Sequence, residues 1–156
     1  MKFLILGAGA IGGYVGGRLT EAGRDVTFLV RDATRERLER DGLRIESTYG
    51  DFAGPVKTIG QAELTPDYDL ILLTCKAYDL DDAVAAIAPG VGPDTMVFPI
   101  LNGLGHIQTL NDRLGADHVL AGTVKISAAR QADGSIKHMN DWRWLNFGEQ
   151  AGGISD

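Results

Sequence analysis

Gly7, Gly9 and Gly12 stand between a short, largely apolar run, Lys2-Phe3-Leu4-Ile5-Leu6, and a stretch with helical character, and a second apolar run, Asp25 to Val30, follows. The order strand, glycine turn, helix, strand is that of a βαβ unit with parallel strands, and it restricts the fold more than any other feature of the chain. Each glycine has its own task. Gly7 permits the tight turn out of the strand, Gly9 leaves room for a pyrophosphate against the backbone, and Gly12 lets the helix pack closely on the sheet. The N–H groups of the helix start, around Ala8, Ala10 and Ile11, face the phosphates with the positive end of the helix dipole. A GxGxxG alone is a weak signal in a chain with 21 glycines. Its placement after a strand and before a helix and a second strand makes it a dinucleotide site.

The residue ending the second strand selects the dinucleotide. An NAD-binding unit carries an acid there, about 20 residues past the glycines, to accept from the ribose hydroxyls. This chain has Arg31, nineteen residues past Gly12. A guanidinium gives paired, charge-assisted hydrogen bonds to a 2′-phosphate and stacks on adenine, so NADP is favoured over NAD. Arg35 and Arg37 follow closely and would reinforce the positive field. Asp32 is open to two readings: a ribose acceptor, or, with Thr34, a cap of the next helix.

The remaining composition limits the function class. A net charge of −6 and a pI near 5.0 give no basic footprint for nucleic acid or an anionic membrane. No apolar run approaches the ~20 residues of a bilayer span. The apolar N-terminal stretch reads as the first strand rather than a signal segment. One cysteine, Cys75, excludes an internal disulfide and a cysteine-based metal cluster, and suits a reducing cytoplasm. Cys75 reads as a small core residue, with a reactive thiol as the alternative. No metal site is expected.

Strand and helix alternate beyond residue 32. A charged helix over 34–41 closes at Gly42; 43–48 alternates as a half-exposed strand; 52–57 reads as its hairpin partner, with Pro55 suggesting an edge. Asp69 to Thr74 is the clearest central strand, 79–88 is helical up to Pro89-Gly90, Thr95 to Leu101 is a further buried strand, and helix 106–114 and a short strand 118–121 follow. In the last forty residues, 123–129, 135–139 and 143–147 read as consecutive strands joined by Asp133-Gly134 and Asn140-Asp141 turns. Trp142 and Trp144 share a face, either buried or a contact surface for another domain or subunit. The tail from Glu149 to Asp156 is polar, with nothing to anchor it. The expectation is an α/β chain, a Rossmann-type doubly wound and mostly parallel sheet over residues 1–156 as one domain, with added antiparallel strands near the C-terminus.

Two polar residues end central strands, where open α/β sheets bind ligands. Lys76 follows Leu70 to Cys75, and Asn102 follows Thr95 to Leu101. Lys76 either reaches solvent or lies in the crevice and polarises a carbonyl. Asn102 either caps the helix before His106 or tethers a ribose or substrate.

Together, Gly7-Ala8-Gly9-Ala10-Ile11-Gly12-Gly13, Arg31, Thr74-Cys75-Lys76-Ala77, Asn102-Gly103-Leu104-Gly105 and Gly122-Thr123 through Ala128-Ala129-Arg130 resemble the ketopantoate reductase (2-dehydropantoate 2-reductase) family. The resemblance covers essentially the whole chain. It implies NADPH-dependent reduction of the ketone of ketopantoate, a small 2-keto acid, on the route to pantothenate and coenzyme A. It implies cofactor contacts from Gly7 to Gly12, Lys76, Asn102 and the backbone near Ala128, with Arg31 on the 2′-phosphate and Lys76 and Asn102 nearest the reacting end. Members of the family are about twice as long and carry a helical second domain with the general-acid lysine. This chain therefore resembles the cofactor half, without a catalytic residue of its own; His106, His118 and His138 sit in no motif that would make one a substitute acid. Alternatives are a related reductase acting on another 2-keto acid, and a stand-alone NADP-binding module; a homo-oligomer is compatible with any of these.

Overall fold

The structure is a computed structural model, and it describes residues 1–152. Its first sheet holds five parallel strands in the order β5-β2-β1-β6-β7, where β1 is Lys2–Leu6, β2 Asp25–Leu29, β5 Lys57–Ile59, β6 Leu70–Leu73 and β7 Met96–Pro99. Successive residues on these strands serve two cores. Phe3, Ile5, Phe28, Leu72 and Phe98 enter one; Leu4, Leu29, Ile71, Leu73 and Val97 enter the other. Strands buried on both faces must read as continuous apolar runs, as Leu70-Ile71-Leu72-Leu73 does.

Helices cover both faces, giving the doubly wound α/β architecture. The helices α1 (Ala10–Glu21) and α2 (Asp32–Asp41) pack on the first core through Tyr14 and Leu38. The helices α3 (Leu80–Ile87) and α4 (Gly105–Leu114) pack on the second through Ala83, Val84, Ile87 and Leu110.

A second sheet, order β4-β3-β9-β8, lies over α1; it comprises β3 (Leu43–Glu46), β4 (Phe52–Gly54), β8 (Leu120–Arg130) and β9 (Ile136–Glu149). The helix α1 is thus a filling between two sheets. Gly12 and Gly16 face Ile5 and Phe28 of the parallel sheet, while Gly13 and Gly17 face Ile136 and Ile45 of the second. So many glycines weaken a helix intrinsically, and here packing on two sides holds it.

Several expectations change. Residues 52–57 are not one hairpin partner: β4 pairs antiparallel with β3, and past Pro55 the chain leaves to become β5, the parallel edge strand beside β2. Proline has no N–H and a fixed φ, so it suits a switch between sheets. The second helix starts at Asp32, not 34; Arg31 occupies its cap position without a side-chain cap bond, so neither Asp32 nor Thr34 caps it. His118 belongs to a single 3-10 turn, Ala116–His118, and the expected strands 118–121 and 123–129 merge into β8, with Val119 bridging Val97 of β7.

The Asp133-Gly134 turn forms as expected, with Gly134 at φ +83° and Gln131 N–H donating to Ser135 O. The Asn140-Asp141 turn does not. Strand β9 continues through it as a bulge: Ile126 opposes Arg143 and Ala128 opposes His138, so residues 139–142 bulge opposite Ser127. Asn140 Oδ1 accepts from the N–H groups of Ser127 and Trp142, local bonds that replace the missing ladder. The tail is anchored at Gln150, which exchanges hydrogen bonds with Asn111 and donates to Val119 O; residues 153–156 lie outside the described part.

Candidate functional site

Because β1, β2, β6 and β7 are parallel and in register, the segments after them emerge at one edge of the sheet. Gly7 to Gly12 follow β1, Arg31 follows β2, Lys76 follows β6 and Asn102 follows β7. Four sequence-derived groups are therefore brought to a common rim, at the carboxyl ends where α/β sheets hold ligands.

The glycine turn is built as its spacing requires. Gly7 has φ +83°, a region that disfavours side chains, and its N–H donates to Leu29 O. A β-carbon on Gly9 would meet nothing within 4 Å, so the backbone there is open to a ligand. A β-carbon on Gly12 would stand 2.7 Å from Gly7 O and 2.5 Å from Thr74 Oγ1, so only glycine allows this approach of helix to sheet. Gly13 N–H donates to Gly9 O as the first bond of α1, and the N–H groups of Ala10, Ile11 and Gly12 precede that ladder. No side chain caps this helix start and no acid lies in its first turn. The turn thus fits a pyrophosphate.

Arg31 is exposed and makes no ion pair among the described residues. Arg35, expected to reinforce it, is instead neutralised: its Nε donates to Glu39 Oε1 at 2.8 Å and its Nη1 donates to Glu63. The Gly60 N–H and then Arg35 hold the Glu63 carboxyl below its ordinary range. Arg37 turns to the second sheet and donates to Gly134 O, with burial lowering its affinity for a proton. Positive charge at this end of the rim therefore comes from Arg31. Glu63 went unnoticed in the sequence, because its segment gave no sign that β5 would join the parallel sheet next to β2.

Lys76 is exposed and sits at the cap position of a 3-10 turn, Ala77–Asp79. Asn102 is exposed ahead of Gly103, whose φ is +82°; Leu104, not Asn102, occupies the cap position of α4, so the capping reading of Asn102 falls away. Ala128 is half-buried on β8 opposite His138. Along α1 from its C-terminal side, Gly17 meets Ile45 of β3 and Gly13 meets Ile136 of β9, so β8 is the next strand outward, toward the glycine turn.

Other candidates are committed elsewhere. Cys75 is half-buried against the second core, and burial pushes its thiol up, as for a core residue. His106 is buried, which lowers its pKa and favours the neutral ring. His118 Nδ1 donates to Thr95 O at 2.8 Å. His138, 4% exposed, lies between Ser47 Oγ and Trp142 O, each within 3.0 Å of a ring nitrogen. Trp142 and Trp144 are 50% and 64% exposed, which decides against a buried tryptophan face. Two hollows, of about 520 and 160 Å³, lie beside Gly42 and Pro55 and beside Asp67 and Asp94, at the opposite edge from the rim. No group of three metal-ligating side chains occurs among the described residues, and no helix there is long and apolar enough to cross a membrane.

A profile of the family described as ketopantoate reductase PanE/ApbA matches residues 3–152. The chain belongs to the ketopantoate reductase family, a family of oxidoreductases. It is 38% identical over 152 residues to an uncharacterized oxidoreductase, YkpB, of Bacillus subtilis, covering 97% of this chain and 50% of that protein. It is 33% identical over 156 residues to a 2-dehydropantoate 2-reductase of Nostoc, covering 99% of this chain and 48% of that protein. The solved 2-dehydropantoate 2-reductase of Geobacter metallireducens superposes with a TM-score of 0.89 at 30% identity, over 99% of this chain and 51% of that one. A D-mandelate dehydrogenase solved with NADH and anilino(oxo)acetate superposes with a TM-score of 0.81 at 26% identity, over 90% of this chain and 46% of that one. The chain spans about half the length of the relatives it matches.

Proposed function

We propose that residues 1–156 are the NADP-binding half of an NADPH-dependent 2-dehydropantoate 2-reductase, which reduces the ketone of ketopantoate in the cytoplasm. The observation that carries this reading is the rim itself. A glycine turn open at Gly9, an Arg31 without an ion pair among the described residues, and the polar Lys76 and Asn102 follow four neighbouring parallel strands. In this reading the N–H groups from Ala8 to Gly12 hold the pyrophosphate, Arg31 holds the 2′-phosphate, and backbone near Ala128 borders the far end. Bound NADPH supplies the hydride. Lys76 places positive charge where the ketone oxygen gains negative charge, and Asn102 orients the ribose or the substrate. Proton donation and enclosure of the ketone fall to the remainder of the enzyme.

A second reading has one observation in its favour. The D-mandelate dehydrogenase that superposes on this chain was solved with NADH and anilino(oxo)acetate, which favours a related reductase of this architecture that acts on another 2-keto acid. The two readings separate in a turnover assay of the complete enzyme. Ketopantoate with NADPH is expected to be the best pair in a panel of 2-keto acids tried with both cofactors. A higher kcat/KM for another acid, or for NADH, would select the second reading.

A further inference from the structure

Thr74 directly follows β6, between Leu73 and the Cys75-Lys76 segment. Its Oγ1 lies 3.0 Å from Leu6 O and donates to it. Leu6 ends β1 and precedes Gly7, so this bond reaches across to the base of the glycine turn. The same oxygen stands 2.5 Å from where a β-carbon on Gly12 would be, so the hydroxyl is wedged under the first turn of α1. One side chain thus touches the end of β1 and the start of the phosphate-facing helix, and its own backbone leads in two residues to Lys76.

We infer that Thr74 is a positioning residue. Its hydroxyl fixes the glycine turn relative to the Lys76 segment, so that a dinucleotide held by its pyrophosphate presents its reacting end to Lys76. The inference rests on the NADPH-binding reading above. The hydroxyl is the operative group, because it adds a bond to Leu6 O beyond the β1–β6 ladder in which Leu6 pairs with Leu73. Serine would supply the same donor. Valine has nearly the same shape, but it would lose this cross-strand bond and set a methyl group against Gly12.

The test compares the unaltered protein, Thr74→Val and Thr74→Ser by calorimetric titration with NADPH, by ligand-observed resonance titration with adenosine 2′-phosphate, and by thermal melting. Adenosine 2′-phosphate carries the group assigned to Arg31 and has no pyrophosphate. Thr74→Val is expected to weaken NADPH about tenfold and to leave adenosine 2′-phosphate binding unchanged. Thr74→Ser is expected to bind NADPH within about threefold of the unaltered protein. Unchanged NADPH affinity in Thr74→Val would overturn the inference and leave the NADPH reading standing. So would equal losses for both ligands, which mark a general structural role, or a serine variant as defective as the valine one. If Thr74→Val does not fold, Thr74→Ala takes its place, and failure of both to fold also assigns Thr74 a structural role. Absence of NADPH binding by the unaltered protein would overturn both readings together.

Discussion

A β-carbon on Gly16 would stand 2.5 Å from Cζ of Phe28, a ring that is itself fully buried in the parallel sheet. On the next residue, a β-carbon on Gly17 would stand 2.5 Å from Cδ1 of Ile45 in the second sheet. Adjacent glycines of one helix thus admit two different sheets. A glycine elsewhere in a helix gains about 1 kcal/mol of helix propensity on substitution, but overpacking a closed core costs about 1–3 kcal/mol. Gly16→Val is therefore expected to lower stability by about 1–2 kcal/mol in denaturant titration. A neutral or stabilising result would mean that α1 has room to move off the sheet.

The parallel sheet was legible because its strands advertise themselves. Lys2 to Leu6, Asp25 to Val30 and Leu70 to Leu73 are apolar on both faces, and a glycine turn or a helix follows each. The placement of the candidate residues was legible for the same reason: the end of a parallel strand fixes which residue stands at the rim. Less was visible where tertiary pairing overrides local chemistry. Asn140-Asp141 has turn composition, yet the ladder resumes at Arg143 opposite Ile126 and absorbs it as a bulge. Lys57 to Ile59 is too short to declare a sheet, and only its pairing with Thr27 to Leu29 places it. Arg35 looked like a helper of Arg31, because its acceptor Glu63 lies 28 positions away in the chain.

Gly9 is where a ligand can be excluded with least damage to the protein. Its backbone is at φ −75° and a β-carbon there meets no atom within 4 Å, so a side chain fits the fold. The same open space is the proposed seat of the pyrophosphate. Gly9→Val is expected to abolish NADPH binding in calorimetry while changing the melting temperature by only a few degrees. Retained binding would place the phosphates elsewhere.

Lys76 and Asn102 are exposed and outside helix interiors, so their removal should hardly affect folding. In a complete enzyme, Lys76→Ala is expected to lower kcat/KM about a hundredfold, and Asn102→Ala to lower it as well. Denaturation of both variants should stay within about 0.5 kcal/mol of the unaltered protein. Unaltered kinetics would reduce Lys76 to a surface charge.

The chain alone is expected to bind NADPH without reducing ketopantoate. The three histidines offer no free donor at the rim: His106 is buried, and His118 and His138 are hydrogen-bonded elsewhere. Lys125 Nζ lies 3.8 Å from the centroid of the Trp142 ring, on the face Lys125 shares with Trp144. Ketopantoate-dependent loss of NADPH absorbance with the purified chain would show that a donor lies within it, and substitution of His106, Lys125 and Lys76 in turn would locate it.

In the proposed reading Arg31 decides the cofactor, because it is the rim residue that would separate an NADP site from an NAD site. A charge-assisted hydrogen bond contributes about 1.5–3 kcal/mol, which corresponds to an affinity change of about ten- to a hundredfold. The direct measurement is calorimetric titration of the unaltered chain and of Arg31→Ala with NADPH and with NADH. The unaltered chain should bind NADPH more tightly, and Arg31→Ala should lose about ten- to a hundredfold for NADPH with little change for NADH. Equal losses for the two cofactors, or tighter binding of NADH by the unaltered chain, would contradict the assignment.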